Sequence, residues 1–69
     1  MSKKYQAKYQ RLTAKLRSAR LDAGLTQVEA GKLLKKPQAY VSKIERGVDA
    51  VEIAEFAKVY GKPIDYFVK

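Results

Sequence analysis

The sequence predicts an all-α fold of five helices arranged around a central helix-turn-helix. Three observations carry this expectation. Apolar residues recur at steps of three and four along the 69-residue chain, the period of one helix face. Residues 25–47, LTQVEAGKLLKKPQAYVSKIERG, divide into two runs of helical character separated by a corner of three to four residues. Helix start and stop signals fall at the edges of those runs, with Thr26 and Glu29 before one, Pro37 before the next and Gly47 after it.

The first helix is expected from about Lys4 to Ala23. Tyr5, Tyr9, Leu12, Leu16, Ala19 and Ala23 would form its inward face, and Gly24 would end it. Lys8, Arg11, Lys15 and Arg17 fall largely off that face, to be solvated or to meet phosphate, and Leu25 would anchor the junction to the next helix. Thr26 and Glu29 form a capping box, in which the hydroxyl takes an orphan backbone N–H and the carboxylate reaches back. The second helix then spans Gln27 to Leu34 and buries Ala30, Leu33 or Leu34, and part of Val28. Gly31 costs about 1 kcal/mol relative to alanine in mid-helix, so its presence implies that another helix passes close by.

Pro37 can open the third helix, because a first-turn residue needs no backbone donor. That helix runs from Pro37 or Gln38 to Arg46 with Val41 and Ile44 inward, and Gln38, Ala39, Ser42, Lys43 and Arg46 outward. Asp49 and Glu52 form a D-x-x-E cap for a fourth helix from about Ala50 to Tyr60, with Ile53, Phe56, Ala57 and Tyr60 inward. Gly61 closes it. Pro63 opens a last short turn of helix that packs Ile64 and Phe67 inward.

Composition bounds the function. The chain has the length of one small domain, with no repeat, low-complexity tract or interdomain linker. It has no cysteine and no histidine, so thiolate ligands, disulfides and the commonest general base are all missing. The seven carboxylates are scattered over caps and ion pairs, and no nucleophile has a base at a recognisable spacing. No enzyme, metal, cofactor or small-molecule substrate is expected. No apolar run approaches the roughly 18 residues of a membrane span, and MSKKYQAKYQ lacks the apolar core of a secretory signal.

The net charge of +8 lies in the first half: residues 1–36 carry ten Lys/Arg against Asp22 and Glu29, whereas residues 37–69 carry five of each sign. Such a face attracts polyanions. Charge alone also fits a merely solvated surface, an acidic protein partner or an anionic membrane, and the spacing alone also fits an ordinary αα-hairpin.

LRSARLDAGLTQ, LLKKPQAYVSKIERG and EIAEFAKVYGKPIDYF together resemble the lambda-repressor-like, XRE/Cro-type helix-turn-helix family over nearly the whole chain. The resemblance implies one domain over residues 1–69, with the helix-turn-helix unit at about 26–46. It implies a sequence-specific transcriptional regulator that binds double-stranded DNA as a homodimer on an inverted repeat, in the cytoplasm and on the nucleoid when bound. Base contacts would come from Gln38, Ala39, Ser42 and Lys43. A glutamine amide can bond adenine N6 and N7 together, and a lysine can donate to guanine O6 and N7. Phosphate contacts would come from Gln27, Tyr40, Arg46, Lys15 and Lys36, with Gln27 also buttressing Gln38. The resemblance further implies a partly buried ion pair between Arg20 and Glu45.

Three departures from the family pattern stand out. Lys35 and Lys36 occupy a corner where glycine and an apolar plug are usual, so Lys36 must snorkel along its stem or let the corner shift. Pro37 replaces a serine or threonine cap, and the stretch Val48–Asp49–Ala50 is about three residues short. The competing function is a protein-interaction module, an antitoxin-like or adaptor partner, for which Tyr66, Phe67 and Val68 offer an apolar surface.

Overall fold

The computed structural model describes the backbone of residues 3–47 and 51–68, and the side chains of residues 10–47 and 51–68. Among these residues there are five helices and no strand: α1 (Lys3–Asp22), α2 (Gln27–Leu34), α3 (Gln38–Arg46), α4 (Ile53–Tyr60) and α5 (Ile64–Val68). The predicted fold class and the bounds of α2 are met.

The helix starts follow from backbone donors that need partners. At α2 the capping box is complete: Thr26 Oγ1 accepts the Glu29 N–H at 3.1 Å, and the Thr26 N–H donates to Glu29 Oε1 at 2.8 Å. Those bonds from Thr26 hold the Glu29 carboxyl below its ordinary range. Pro37 stands one residue outside α3 in extended geometry, not within its first turn, and its carbonyl accepts the Tyr40 N–H at 3.0 Å. α4 starts at Ile53, three residues later than the D-x-x-E pattern predicts, and Glu52 caps it with its carbonyl and no side-chain bond. Asp49 and Ala50 lie outside the described residues, as do the side chains of Tyr5, Lys8 and Tyr9.

Three helix ends use the same wrap, in which a left-handed residue lets two successive amides reach back to the last turn. Gly24 and Leu25 do so after α1, and Gly61 and Lys62 close α4 in the same sense. After α2 the left-handed residue is Lys35 (φ 60°), whose N–H donates to the Lys32 carbonyl at 3.2 Å while that of Lys36 donates to the Gly31 carbonyl at 2.8 Å. The corner is therefore closed by a lysine in the conformation that glycine adopts without strain.

Gly31 is needed for the close approach that its position suggests. A Cβ there would lie 2.7 Å from the Lys36 carbonyl oxygen and 3.4 Å from the Gln38 nitrogen. What passes close by is the corner and the first residue of α3, folded back over α2, so the close approach is made by the start of the next helix and the chain leading into it. Lys36 neither plugs the core nor displaces the corner. Its side chain is exposed, with Nζ 5.4 Å from the centroid of the Tyr40 ring, and that ring stacks on Phe56 at 6.2 Å.

The core joins Leu16 and Ala19 of α1, Ala30 and Leu34 of α2, Val41 and Ile44 of α3, Phe56, Ala57 and Tyr60 of α4, and Phe67 of α5. Leu25 packs against it as the expected anchor. Ala23 is exposed, because it follows the end of α1 and loses the helical phase that would turn it inward. Thr13 is buried instead and donates to the Gln10 carbonyl at 3.0 Å. Leu34 is the buried leucine of its pair; Leu33 and Val28 stay 57% and 51% exposed. Ile64, expected inward, is 51% exposed, and α5 enters the core through Phe67, with Tyr66 packed against it.

Tyr60 carries an unusual cost. Its hydroxyl is buried without a hydrogen-bond partner among the described residues. Burial, with help from Glu45 and against Arg20, pushes its pKa up to about 12. The unfolded chain releases this proton near pH 10, so Tyr60 leaves stability independent of pH below that value and lowers it as pH rises towards 12, where the buried hydroxyl resists ionisation.

Three stability measurements test this description. Gly31→Ala gains about 1 kcal/mol of helix propensity but forces apart backbone in contact, so denaturant titration should show a net loss of about 1–2 kcal/mol. Lys35→Gly should raise stability by about 1 kcal/mol by relieving the left-handed lysine. Tyr60→Phe should be stabilising by about 1 kcal/mol at neutral pH, since it removes an unpaired buried hydroxyl, and should flatten the fall in stability between pH 10 and 12; a loss above 1 kcal/mol would show that the hydroxyl is bonded.

Candidate nucleic-acid interface

Arg20 lies in the last turn of α1 and Glu45 near the end of α3, each with a side chain less than a tenth exposed. Neither charge is stable there alone, because burial penalises an unpaired ion by several kcal/mol. They pair in a fork: Arg20 Nε donates to Glu45 Oε2 at 2.6 Å and Nη2 to Oε1 at 3.1 Å. Arg20 Nη1 donates to the Leu25 carbonyl at 3.0 Å, tying in the entry to α2. The bond to Glu45 raises the Arg20 pKa above its ordinary value against the opposing effect of burial. The pair implied by the family resemblance is present.

The polar series continues outward. Gln27, the first residue of α2, donates from Nε2 to Glu45 Oε1 at 3.1 Å. Its Oε1 accepts a 2.6 Å bond from Nε2 of Gln38, the first residue of α3. A buried guanidinium is thus connected through a carboxylate and two amides to an exposed side chain at the start of the helix-turn-helix's second helix. The expected buttress of Gln38 by Gln27 is seen.

Around this series lies an open cleft of about 210 Å³, lined by Arg17, Arg20, Gln27, Ser42, Glu45 and Arg46. Glu45 is the one carboxylate in that lining, and Arg20 neutralises it. The cleft is therefore left with the cations of Arg17 and Arg46, neither of them in an ion pair among the described residues. Arg46 Nε also donates to the Ser42 carbonyl at 3.4 Å.

The anticipated site residues divide into groups. Gln38, Ala39 and Lys43 are exposed on α3, Ser42 is half-buried, and Val41 and Ile44 face the core, as an outward side of this helix requires. Gln27 and Arg46 join Ser42 at the cleft. Lys36 lies beside Tyr40, whose half-buried ring is engaged with Phe56. Lys15 is placed elsewhere: its Nζ is 5.8 Å from the ring centroid of Tyr66 on α5, which also carries Lys62 at 4.9 Å. Lys35 turns to the groove between α2 and α4. The basic excess of the first half is consequently spread over more than one face.

Arg17, which the sequence places with Lys8, Arg11 and Lys15 among the α1 residues that are solvated or meet phosphate, is the one of them that lines this cleft. It lies three positions before Arg20, on the same side of α1.

No metal-binding group of His, Cys, Asp and Glu occurs among the described residues, and no helix there is long and apolar enough to cross a membrane. No curated protein and no solved structure matches the chain significantly. A family model described as helix-turn-helix matches residues 16–67, which takes in every element from the middle of α1 to α5. The chain belongs to the XRE/lambda-repressor-like helix-turn-helix family, a family of all-α DNA-binding regulator domains.

Proposed function

We propose that this chain, as one domain over residues 1–69, is a sequence-specific transcriptional regulator that lays α3 in the major groove of double-stranded DNA. The observation that carries this reading is the exposed Gln38 amide, held in place by Gln27 at the start of α3, with Arg17 and Arg46 lining the adjoining cleft. Holding the amide before binding lowers the entropy lost on contact. Gln38 is suited to adenine N6 and N7, and Lys43 to guanine O6 and N7. Ala39 offers a methyl to a thymine methyl, and Ser42 supplies a hydroxyl one turn further on.

Affinity independent of sequence would come from cations on phosphates. Arg17 and Arg46 are best placed for this, with Gln27, Lys36 and Tyr40 at the flanks. Lys15 reaches phosphate only where the backbone passes the α5 side. A helix of nine residues is roughly 13 Å long and covers one groove segment. Reading an inverted repeat with half-sites about 34 Å apart therefore calls for a second copy, so the regulator acts as a homodimer. Its place is the cytoplasm, on the nucleoid when bound.

A second reading, an interaction module of the antitoxin-like or adaptor kind, draws on the groove of about 420 Å³ between α2 and α4, where Leu33 and Val59 are accompanied by Lys35, Glu55 and Lys58. Such a module without a DNA role would show no steep salt-dependent binding to duplexes.

Fluorescence anisotropy with a preferred and a scrambled duplex, across a range of salt, separates these roles. Gln38→Ala should cost about 1–3 kcal/mol on the preferred duplex and little on the scrambled one. Equal losses on both would contradict base contact. Arg17→Ala should weaken both duplexes alike and reduce the salt slope by about one, and Lys15→Ala should reduce it by less; the reverse order would place the phosphates on the α5 side.

A further inference from the structure

The geometry points to Glu45 as a positioning residue for base selectivity: through Gln27, its carboxylate fixes which way round the Gln38 amide faces, and thereby whether α3 prefers adenine or guanine at the base pair opposite Gln38. This rests on the DNA-binding reading above and deepens it.

The argument is one of donors and acceptors. An amide has a donor end and an acceptor end, and either can be turned outward unless a neighbour decides. A carboxylate can only accept. Glu45 is fixed by two bonds from Arg20, so its Oε1 can meet Gln27 only as an acceptor, and Gln27 must present its NH₂. The opposite end of the Gln27 amide, Oε1, then faces Gln38 and can be met only by a donor, so Gln38 must give one N–H of its own NH₂. What Gln38 has left for a base is one N–H and its Oε1. A donor beside an acceptor matches adenine, which offers N7 as acceptor and N6–H as donor in the major groove; guanine offers two acceptors, N7 and O6. The order of bonds is set at Arg20, two side chains removed from Gln38.

Reversing the first member should reverse the chain. In Glu45→Gln the single oxygen is claimed by Arg20 and the new NH₂ faces Gln27. Gln27 turns its Oε1 inward and its NH₂ outward, and Gln38 accepts with its oxygen. Gln38 then presents its NH₂, two donors, which suit guanine. Adding Gln27→Glu to that variant supplies an acceptor at both ends of residue 27, so Gln38 must donate again. The double variant keeps the wild-type net charge but moves a carboxylate to residue 27, closer to phosphate, and so loses overall affinity, yet it should recover the preference for adenine.

The test has a part without DNA and a part with it. In the free wild-type protein, NMR should find one of the two Gln38 side-chain N–H protons protected from exchange and bonded to Gln27 Oε1. In Glu45→Gln that protection should vanish, and in Glu45→Gln/Gln27→Glu it should return. With DNA, the ratio of Kd values for duplexes carrying G·C or A·T opposite Gln38 should fall by roughly tenfold in Glu45→Gln and be restored in the double variant, whatever happens to affinity as a whole. A structural role for Glu45 alone would lower stability and affinity and leave that ratio unmoved.

A freely exchanging Gln38 NH₂ in the wild-type protein, or a bond running from Gln27 Nε2 to Gln38 Oε1, would overturn the proposal with no variant needing to fold. A wild-type base preference that Glu45→Gln leaves unchanged would overturn it while sparing the DNA-binding reading. Absence of any selective wild-type binding would overturn both.

Discussion

The buried pair between Arg20 and Glu45 is the constraint from which the rest of the molecule's organisation follows. A buried ion pair adds little net stability over an apolar substitute, but removing one partner costs about 3–5 kcal/mol. Its effect is therefore to specify an arrangement. Arg20 belongs to α1, Glu45 to α3, and the Leu25 carbonyl that Arg20 also holds leads into α2. One guanidinium consequently sets three helices against one another at the point where the cleft opens. The core residues on the same helices, Leu16, Ala19, Val41 and Ile44, supply the apolar burial that orders the charges.

A second constraint acts at the corner between α2 and α3. The chain folds back so tightly that only a hydrogen atom fits at Gly31, and the wrap that closes α2 places Lys35 in a conformation that glycine adopts more easily. Beside the corner, the ring of Tyr40 lies between Lys36 and Phe56. The structure thus tolerates local strain at Lys35 and, among the described residues, a buried Tyr60 hydroxyl without a partner.

Much of this was legible in the sequence because it depends on short-range rules. The Thr26–Glu29 box, the left-handed glycines and the inward positions of α3 and α4 are decided within one or two turns of chain. The family resemblance supplied Arg20 with Glu45 and Gln27 with Gln38, pairs 25 and 11 residues apart that no local rule connects. What escaped depends on how elements meet. Ala23 and Ile64 have the right spacing but sit where a helix ends or begins. Gly31 is hemmed in by backbone five residues further on, and Lys15 and Arg17, two residues apart on one helix, serve opposite sides of the domain.

The account's central claim is that the outward side of α3, organised from the buried pair, selects a base sequence. Selection of preferred duplexes from a random pool by the wild-type protein tests it most directly. The account predicts a two-fold symmetric winner with an adenine at one fixed position in each half-site. A pool that emerges without sequence enrichment at moderate salt would contradict it.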